Sequence, residues 1–203
     1  MLKCYHCKDT STENCSDNAL QRECPSGSDR CMALRVTTFT GKEISKIENS
    51  KSCAPASLCV EGSINLGTLR AASTTKCCST NLCNDQLAPE PAEPRPNGKK
   101  CFGCDGTEFC NQTLDCVDDE DNCFTNIGFV KVTTKGCITK EFCQKTHLAE
   151  LSYEHNKGMT CCQGDYCNRA DSTGSSLLLL VATGFPRLLL PPRRFCFCWR
   201  LSV

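Results

Sequence analysis

The sequence predicts an all-β, small disulfide-rich architecture made of two tandem domains. Three observations carry this expectation. Cysteine supplies 22 of the 203 residues, above the roughly 8–10% that marks a disulfide scaffold in a short chain. The cysteines form one series that occurs twice. Hydrophobic residues reach 39% only with cysteine counted, and there are one Trp, three Tyr and nine Phe. That is too little apolar surface for one large core, so small units must be stapled covalently. Such a thiol load belongs to an oxidising compartment.

The first series is Cys4, Cys7, Cys15, Cys24, Cys31, Cys53, Cys59, Cys77, Cys78 and Cys83, with steps of 3, 8, 9, 7, 22, 6, 18, 1 and 5. The second is Cys101, Cys104, Cys110, Cys116, Cys123, Cys137, Cys143, Cys161, Cys162 and Cys167, with steps of 3, 6, 6, 7, 14, 6, 18, 1 and 5. Six of nine steps agree, and both series close in Cys-Asn, at Asn84 and Asn168. An internal repeat of this kind places one domain at 2–85 and a second at 100–169. Between them, 86–99 holds Pro89, Pro91, Pro94 and Pro96. Proline lacks the N–H that helices and central strands use, so this stretch reads as an extended, semi-rigid, protease-accessible linker.

Within the first domain, Met32–Phe39 is β-prone, Thr40-Gly41-Lys42 supplies a turn, and Glu43–Ile47 returns as a second strand. In the second, Phe124–Thr134 repeats the pattern, with Gly128 inside it and Gly136 before Cys137. No stretch of 1–168 shows sustained helical periodicity. Residues 1–85 carry 10 basic and 9 acidic groups, while 100–169 carry 7 and 11, giving +1 and −4. The whole chain sums to zero, which leaves no electrostatic footprint for nucleic acid.

Leu2-Lys3-Cys4-Tyr5-His6-Cys7, followed by the ten-cysteine series closing in Cys77-Cys78-Ser79-Thr80-Asn81-Leu82-Cys83-Asn84, resembles the lymphocyte antigen 6/urokinase receptor family. Lys100-Cys101-Phe102-Gly103-Cys104 and Cys161-Cys162-Gln163-Gly164-Asp165-Tyr166-Cys167-Asn168 resemble it equally, so the likeness covers 2–168. It implies two tandem three-finger, snake-toxin-like domains. Spacing alone leaves the disulfide connectivity open. The family pattern implies Cys4–Cys31, Cys7–Cys15, Cys24–Cys53, Cys59–Cys77 and Cys78–Cys83. In the second domain it implies Cys101–Cys123, Cys104–Cys110, Cys116–Cys137, Cys143–Cys161 and Cys162–Cys167. The family also implies that the terminal Asn84 and Asn168 tie the last disulfide loop to the core.

Three-finger modules function through their loops, so the resemblance implies a non-enzymatic, extracellular protein-binding module. Two kinds of member remain open: a cell-surface receptor or adaptor, and a secreted inhibitor of an extracellular enzyme such as a phospholipase. The family's urokinase receptor has three units enclosing a ligand cavity, so urokinase binding is not carried over to two. The first domain's middle finger, Cys31 to Cys53, is eight residues longer than its counterpart, 22 against 14. Phe39 and Lys42 near its tip pair an aromatic anchor with a cation, a frequent hot-spot combination; the alternative is that Phe39 packs on its own hairpin. Asp118, Asp119, Glu120 and Asp121 form an acidic run that offers a face for a basic partner. Contiguous acids lack the alternating ligands of a calcium loop, and such a run ordinarily forms a solvated loop.

Zinc is the rival reading of Cys4-x-x-Cys7 and Cys101-x-x-Cys104. It does not explain an adjacent cysteine pair in each repeat or ten thiols per unit, so no metal or cofactor is expected. A redox-active pair needs a βαβ context that is missing. Three histidines, His6, His147 and His155, and no Gly-x-Ser-x-Gly elbow argue against catalysis. His6 between two structural cysteines reads as packing. Asn14-Cys15-Ser16 and Asn111-Gln112-Thr113 are glycosylation sequons, and Asn111 is favoured because Asn14 precedes a bridged cysteine.

Residues 170–203 change character: small polar Ala170–Ser176, apolar Leu177–Phe185, then Pro186-Arg187 and Leu188–Leu190. Small residues before an apolar tail form a lipid-anchor (GPI) signal, with attachment expected among Asn168, Ala170, Asp171, Ser172, Gly174 and Ser175. The membrane would then be met through a lipid. Secretion without an anchor is the alternative, because the spacer is short and Pro191–Arg200 is not a clean apolar ending. At the other end, Met1 runs directly into Leu2-Lys3-Cys4 without a leader pattern. The Leu-x-Cys start resembles a mature terminus just after leader cleavage.

Overall fold

The first domain begins as three hairpins. Strands β1 (Lys3–Lys8) and β2 (Leu20–Glu23) form finger one, β3 (Arg30–Thr40) and β4 (Glu43–Ala54) finger two, and β5 (Gly62–Asn65) and β6 (Leu69–Cys78) finger three. A single 3-10 turn, Ala56–Leu58, separates the second and third. The second domain follows with β7 (Pro96–Asp105) and β8 (Gln112–Val117), β9 (Asn122–Ile127) and β10 (Thr133–Ile138), helix α1 (Lys140–Gln144), and β11 (Met159–Cys162). The structure is a computed structural model that describes residues 1–9, 14–15, 19–106, 110–127, 132–144 and 158–169.

The β3–β4 hairpin runs further than its alternating core suggests. β3 is flanked on both sides, Cys31–Thr40 pairing with β6 while Arg30–Thr40 pairs with β4. A strand sandwiched in this way finds ladder partners for residues that propensity alone would leave at an end. The tight turn needs glycine: Gly41 sits at φ 62° between the paired residues Thr40 and Glu43. The second domain's middle finger is the β9–β10 pair, with 128–131 outside the described residues. Helix α1 was not expected. Its five residues are too few to show a period, and buried Phe142 holds it to the core.

Cysteine forms the centre of each domain. Cys4, Cys24 and Cys31 cluster in the first, and Cys101, Cys116, Cys123 and Cys137 in the second. The bridges are Cys4–Cys31, Cys7–Cys15, Cys24–Cys53, Cys59–Cys77 and Cys78–Cys83, then Cys101–Cys123, Cys104–Cys110, Cys116–Cys137, Cys143–Cys161 and Cys162–Cys167. Each contributes roughly 2–4 kcal/mol by restricting the unfolded chain.

One asparagine closes each knot. Asn84 accepts the Tyr5 N–H at 2.9 Å and donates to the carbonyls of Tyr5 at 3.0 Å and Met32 at 3.1 Å. Asn168 repeats this with the Phe102 N–H at 2.9 Å and the carbonyls of Phe102 at 2.8 Å and Phe124 at 3.0 Å. Both side chains are buried. Asn84→Ala strands three buried backbone groups and is expected to cost on the order of 2 kcal/mol. A denaturation midpoint measured with disulfides intact checks this, and an unchanged midpoint would remove Asn84 from the list of structural residues.

The apolar cluster lies where the domains meet. Ile64 and Leu66 of the first pack with Phe124, Ile138 and Phe142 of the second. There β5 pairs with β10, Asn65 opposite Cys137 and Ile64 opposite Ile138. The ladder therefore continues across the boundary in the order β11-β9-β10-β5-β6-β3-β4-β1-β2. The extended segment 86–99 is held against the first domain. Ala88 is buried, the Thr74 hydroxyl donates to the Pro89 carbonyl, and Glu90 pairs with Arg35 at 3.0 Å. Pro96 already belongs to β7, at the first position of the strand, where a missing N–H costs nothing.

Candidate functional site

Alternation along β3 puts Arg35, Thr37 and Phe39 on one face. On β4, Ile44 stands opposite Phe39 and Ile47 opposite Thr37, with a bulge between Thr38 and Phe39. On β6, Arg70 stands opposite Phe39. The linker segment Glu90–Pro94 forms the facing wall, and the groove between them has a volume of about 630 Å³. Ile44 and Ile47 are 57% and 43% exposed, unusual for isoleucine. Lys42 is exposed at the turn.

Of the residues singled out from sequence, Phe39 and Lys42 both line this groove. The ring of Phe39 is half-buried, with the Arg70 guanidinium 5.8 Å from its centroid. Arg70 then reaches the acidic run. Its Nη2 lies 3.0 Å from Asp118 Oδ2, and its Nε 3.0 Å from Glu120 Oε1. Two candidate clusters that lie some eighty residues apart in the chain are thus joined through one arginine that carries no sequence signal of its own.

The solvated-loop reading of the acidic run fails at Glu120. Glu120 is fully buried, accepting from Ser63 Oγ at 2.6 Å, Asn65 Nδ2 at 3.2 Å and the Val117 N–H at 3.0 Å as well as from Arg70. Asp118, at φ 48°, stays exposed but is tied down, accepting from Arg70 and from the Arg95 N–H at 3.0 Å. Glu120 is therefore closed to a partner. Asp119 and Asp121 stay exposed. The seam between the domains uses the other two because a buried cation requires compensating charge.

His6 packs as expected. Its Nε2 accepts the Cys53 N–H at 3.2 Å. Burial, and then the positive charge of Arg22, hold its imidazole below the usual value. The folded chain therefore takes up this proton less readily than the unfolded chain. The His6 contribution to stability is whole above about pH 6.5 and is lost as pH falls below it. His6→Gln is expected to flatten the decline of the unfolding midpoint between about pH 7 and 5. Parallel declines in the two proteins would overturn this assignment.

The sulfur groups Cys4, Cys24, Cys53 and Cys101, Cys116, Cys137 have mutual distances that would suit a metal, each set lying within 4.8 Å. Every one of these sulfurs is bonded to another sulfur, so none is a thiolate ligand. Asn111 and Asn14 are both exposed. His147, His155 and the attachment candidates Ala170, Asp171, Ser172, Gly174 and Ser175 lie outside the described residues; Asn168 is inside them. Among the described residues no helix is long and apolar enough to cross a membrane.

Two family models match the chain. One, for snake toxin and toxin-like proteins, matches 2–84, and the other, the u-PAR/Ly-6 domain, matches 97–170. The urokinase plasminogen activator surface receptor of Rattus norvegicus is 26% identical over 200 residues, 90% of this chain and 60% of that protein. The chain thus spans less than two thirds of that receptor's length. Phospholipase A2 inhibitor PIP of Malayopython reticulatus is 25% identical over 151 residues, 68% of this chain and 74% of the inhibitor. Lymphocyte antigen 6D of Homo sapiens is 31% identical over 86 residues, 42% of this chain and 59% of that protein. With both domain models matched, the cysteine knots in place and the fingers paired as described, the chain belongs to the Ly-6/urokinase receptor family, as a tandem of two three-finger domains.

Proposed function

We propose that this chain is a non-enzymatic extracellular binding protein, held at the cell surface by a lipid anchor, that engages a protein ligand through the groove face of its first domain. The observation that carries the reading is the pair Ile44 and Ile47, left exposed on the overlong middle finger beside Phe39 and Lys42. Exposed aliphatic side chains rimmed by charge mark contact surfaces. The likeness to the urokinase receptor over 90% of the chain supports a cell-surface role. Asn111 and Asn14 carry N-glycans in this reading.

Two measurements test it. Phosphatidylinositol-specific phospholipase C sheds the protein from transfected cells; retention after treatment would sink the anchor. Crosslinking of displayed protein in serum recovers a ligand that is lost with Ile44→Asp/Ile47→Asp; equal recovery by both would displace the binding face.

A second reading has its own support. The chain covers 74% of the python phospholipase A2 inhibitor, more than it covers of the receptor. A secreted inhibitor would bind a secreted phospholipase A2 directly and lower its turnover. A full-length chain that leaves such enzymes unbound at micromolar concentration rules this out.

A further inference from the structure

The groove specifies the chemistry of what enters it, and we infer that its ligand is a polypeptide segment presenting an aliphatic or aromatic side chain next to a lysine or arginine. The inference rests on the binding face proposed above and adds the identity of the contacting groups. Ile44 and Ile47 form one wall of the slot, and Pro91 and Pro94 belong to the other. These give each wall an apolar stretch, and a volume of about 630 Å³ admits one or two large side chains.

Charge then decides what flanks that side chain. The two arginines lining the groove are each charge-compensated by carboxylates, although Arg35 Nε and Arg70 Nη1 are buried without a hydrogen-bond partner among the described residues. Arg70 faces two carboxylates, Asp118 and Glu120, and Arg35 faces Glu90. The Glu90 side chain is 81% exposed and gives one oxygen, Oε1, to Arg35, leaving the other to solvent. Glu93 is exposed on the same wall. Lys42 is the opposing cation, at the far rim. The second domain, with 7 basic and 11 acidic residues over 100–169, adds a long-range negative field. A cation beside the inserted apolar group meets Glu90 and Glu93, whereas an acid there meets repulsion.

A displayed library of random linear peptides, selected against the full-length, disulfide-bonded chain, tests this. Enriched sequences are expected to pair an apolar residue with Lys or Arg. Their affinity is expected to fall about tenfold with Ile47→Asp, a hot-spot-sized effect. It should fall roughly threefold or more with Glu93→Lys, and weaken at high salt. Both substitutions sit on exposed side chains, so folding is preserved and circular dichroism verifies it. Acid-rich peptides that still require Ile47 would overturn the stated chemistry and leave the binding face standing. Peptides that bind Ile47→Asp unchanged would overturn both. Failure to enrich any peptide would overturn the inference alone.

Discussion

Gly136→Ala is expected to open the seam between the two domains. A Cβ at this position would lie 1.9 Å from the Asn65 carbonyl oxygen, 2.9 Å from its carbon and 3.0 Å from Phe124 Cε1. The nearest atoms are backbone of the neighbouring domain, which no rotamer change can move aside. Strand β10 must retreat from β5, and the pairs Asn65–Cys137 and Ile64–Ile138 separate. Forced overpacking of this kind costs roughly 1–3 kcal/mol, and more where backbone must shift. The five bridges in each domain keep the separate knots folded. Hydrogen exchange should therefore rise in 62–65 and 133–138 while the knots stay protected. Native protection across the seam in Gly136→Ala would show that the two domains do not share a ladder.

Glu120→Ala acts on the same seam through charge. The carboxylate takes four hydrogen bonds, from Ser63, Asn65, Arg70 and the Val117 backbone. Its removal leaves Asp118 as the one carboxylate on Arg70 and takes the acceptor from Ser63, Asn65 and the Val117 N–H. Breaking one partner out of a buried ion pair costs about 3–5 kcal/mol. Asp119→Ala and Asp121→Ala change exposed side chains and should stay within about 0.5 kcal/mol. Four similar denaturation midpoints across Asp118–Asp121 would restore the solvated-loop reading. Because Arg70 also lies against Phe39, Glu120→Ala should loosen the groove as well as the seam.

These two positions show where sequence reading stops. The repeat and the long middle finger were legible because the cysteine spacing recurs and the hairpin strands alternate, whereas the pairing within each knot came from the family resemblance and not from the spacing. The tip residues Phe39 and Lys42 were legible as a pair, and they line the groove, with Phe39 half-buried and Lys42 exposed. Glu120 was not. One buried acid among three exposed or partly exposed neighbours looks like any solvated run until Arg70, fifty residues earlier, is brought against it. Likewise, nothing local marks Gly136 as a contact, because the atom that forbids a Cβ belongs to Asn65 in another domain. The prolines of the linker predicted an extended backbone and could not reveal that Glu90 returns to Arg35.

The asparagine that closes each knot has a consequence for how the chain is made. Synthesis is vectorial, so the first domain can lock as soon as Asn84 has emerged and found Tyr5 and Met32. At that moment Ser63, Asn65 and Arg70 have been made, but the carboxylate that satisfies them lies about fifty residues further along the chain. Until Glu120 and Gly136 are translated, the newborn first domain displays a bare strand edge and an uncompensated cation. Such an edge is at once a template for the strand that the second domain brings and a site open to mispairing with other chains.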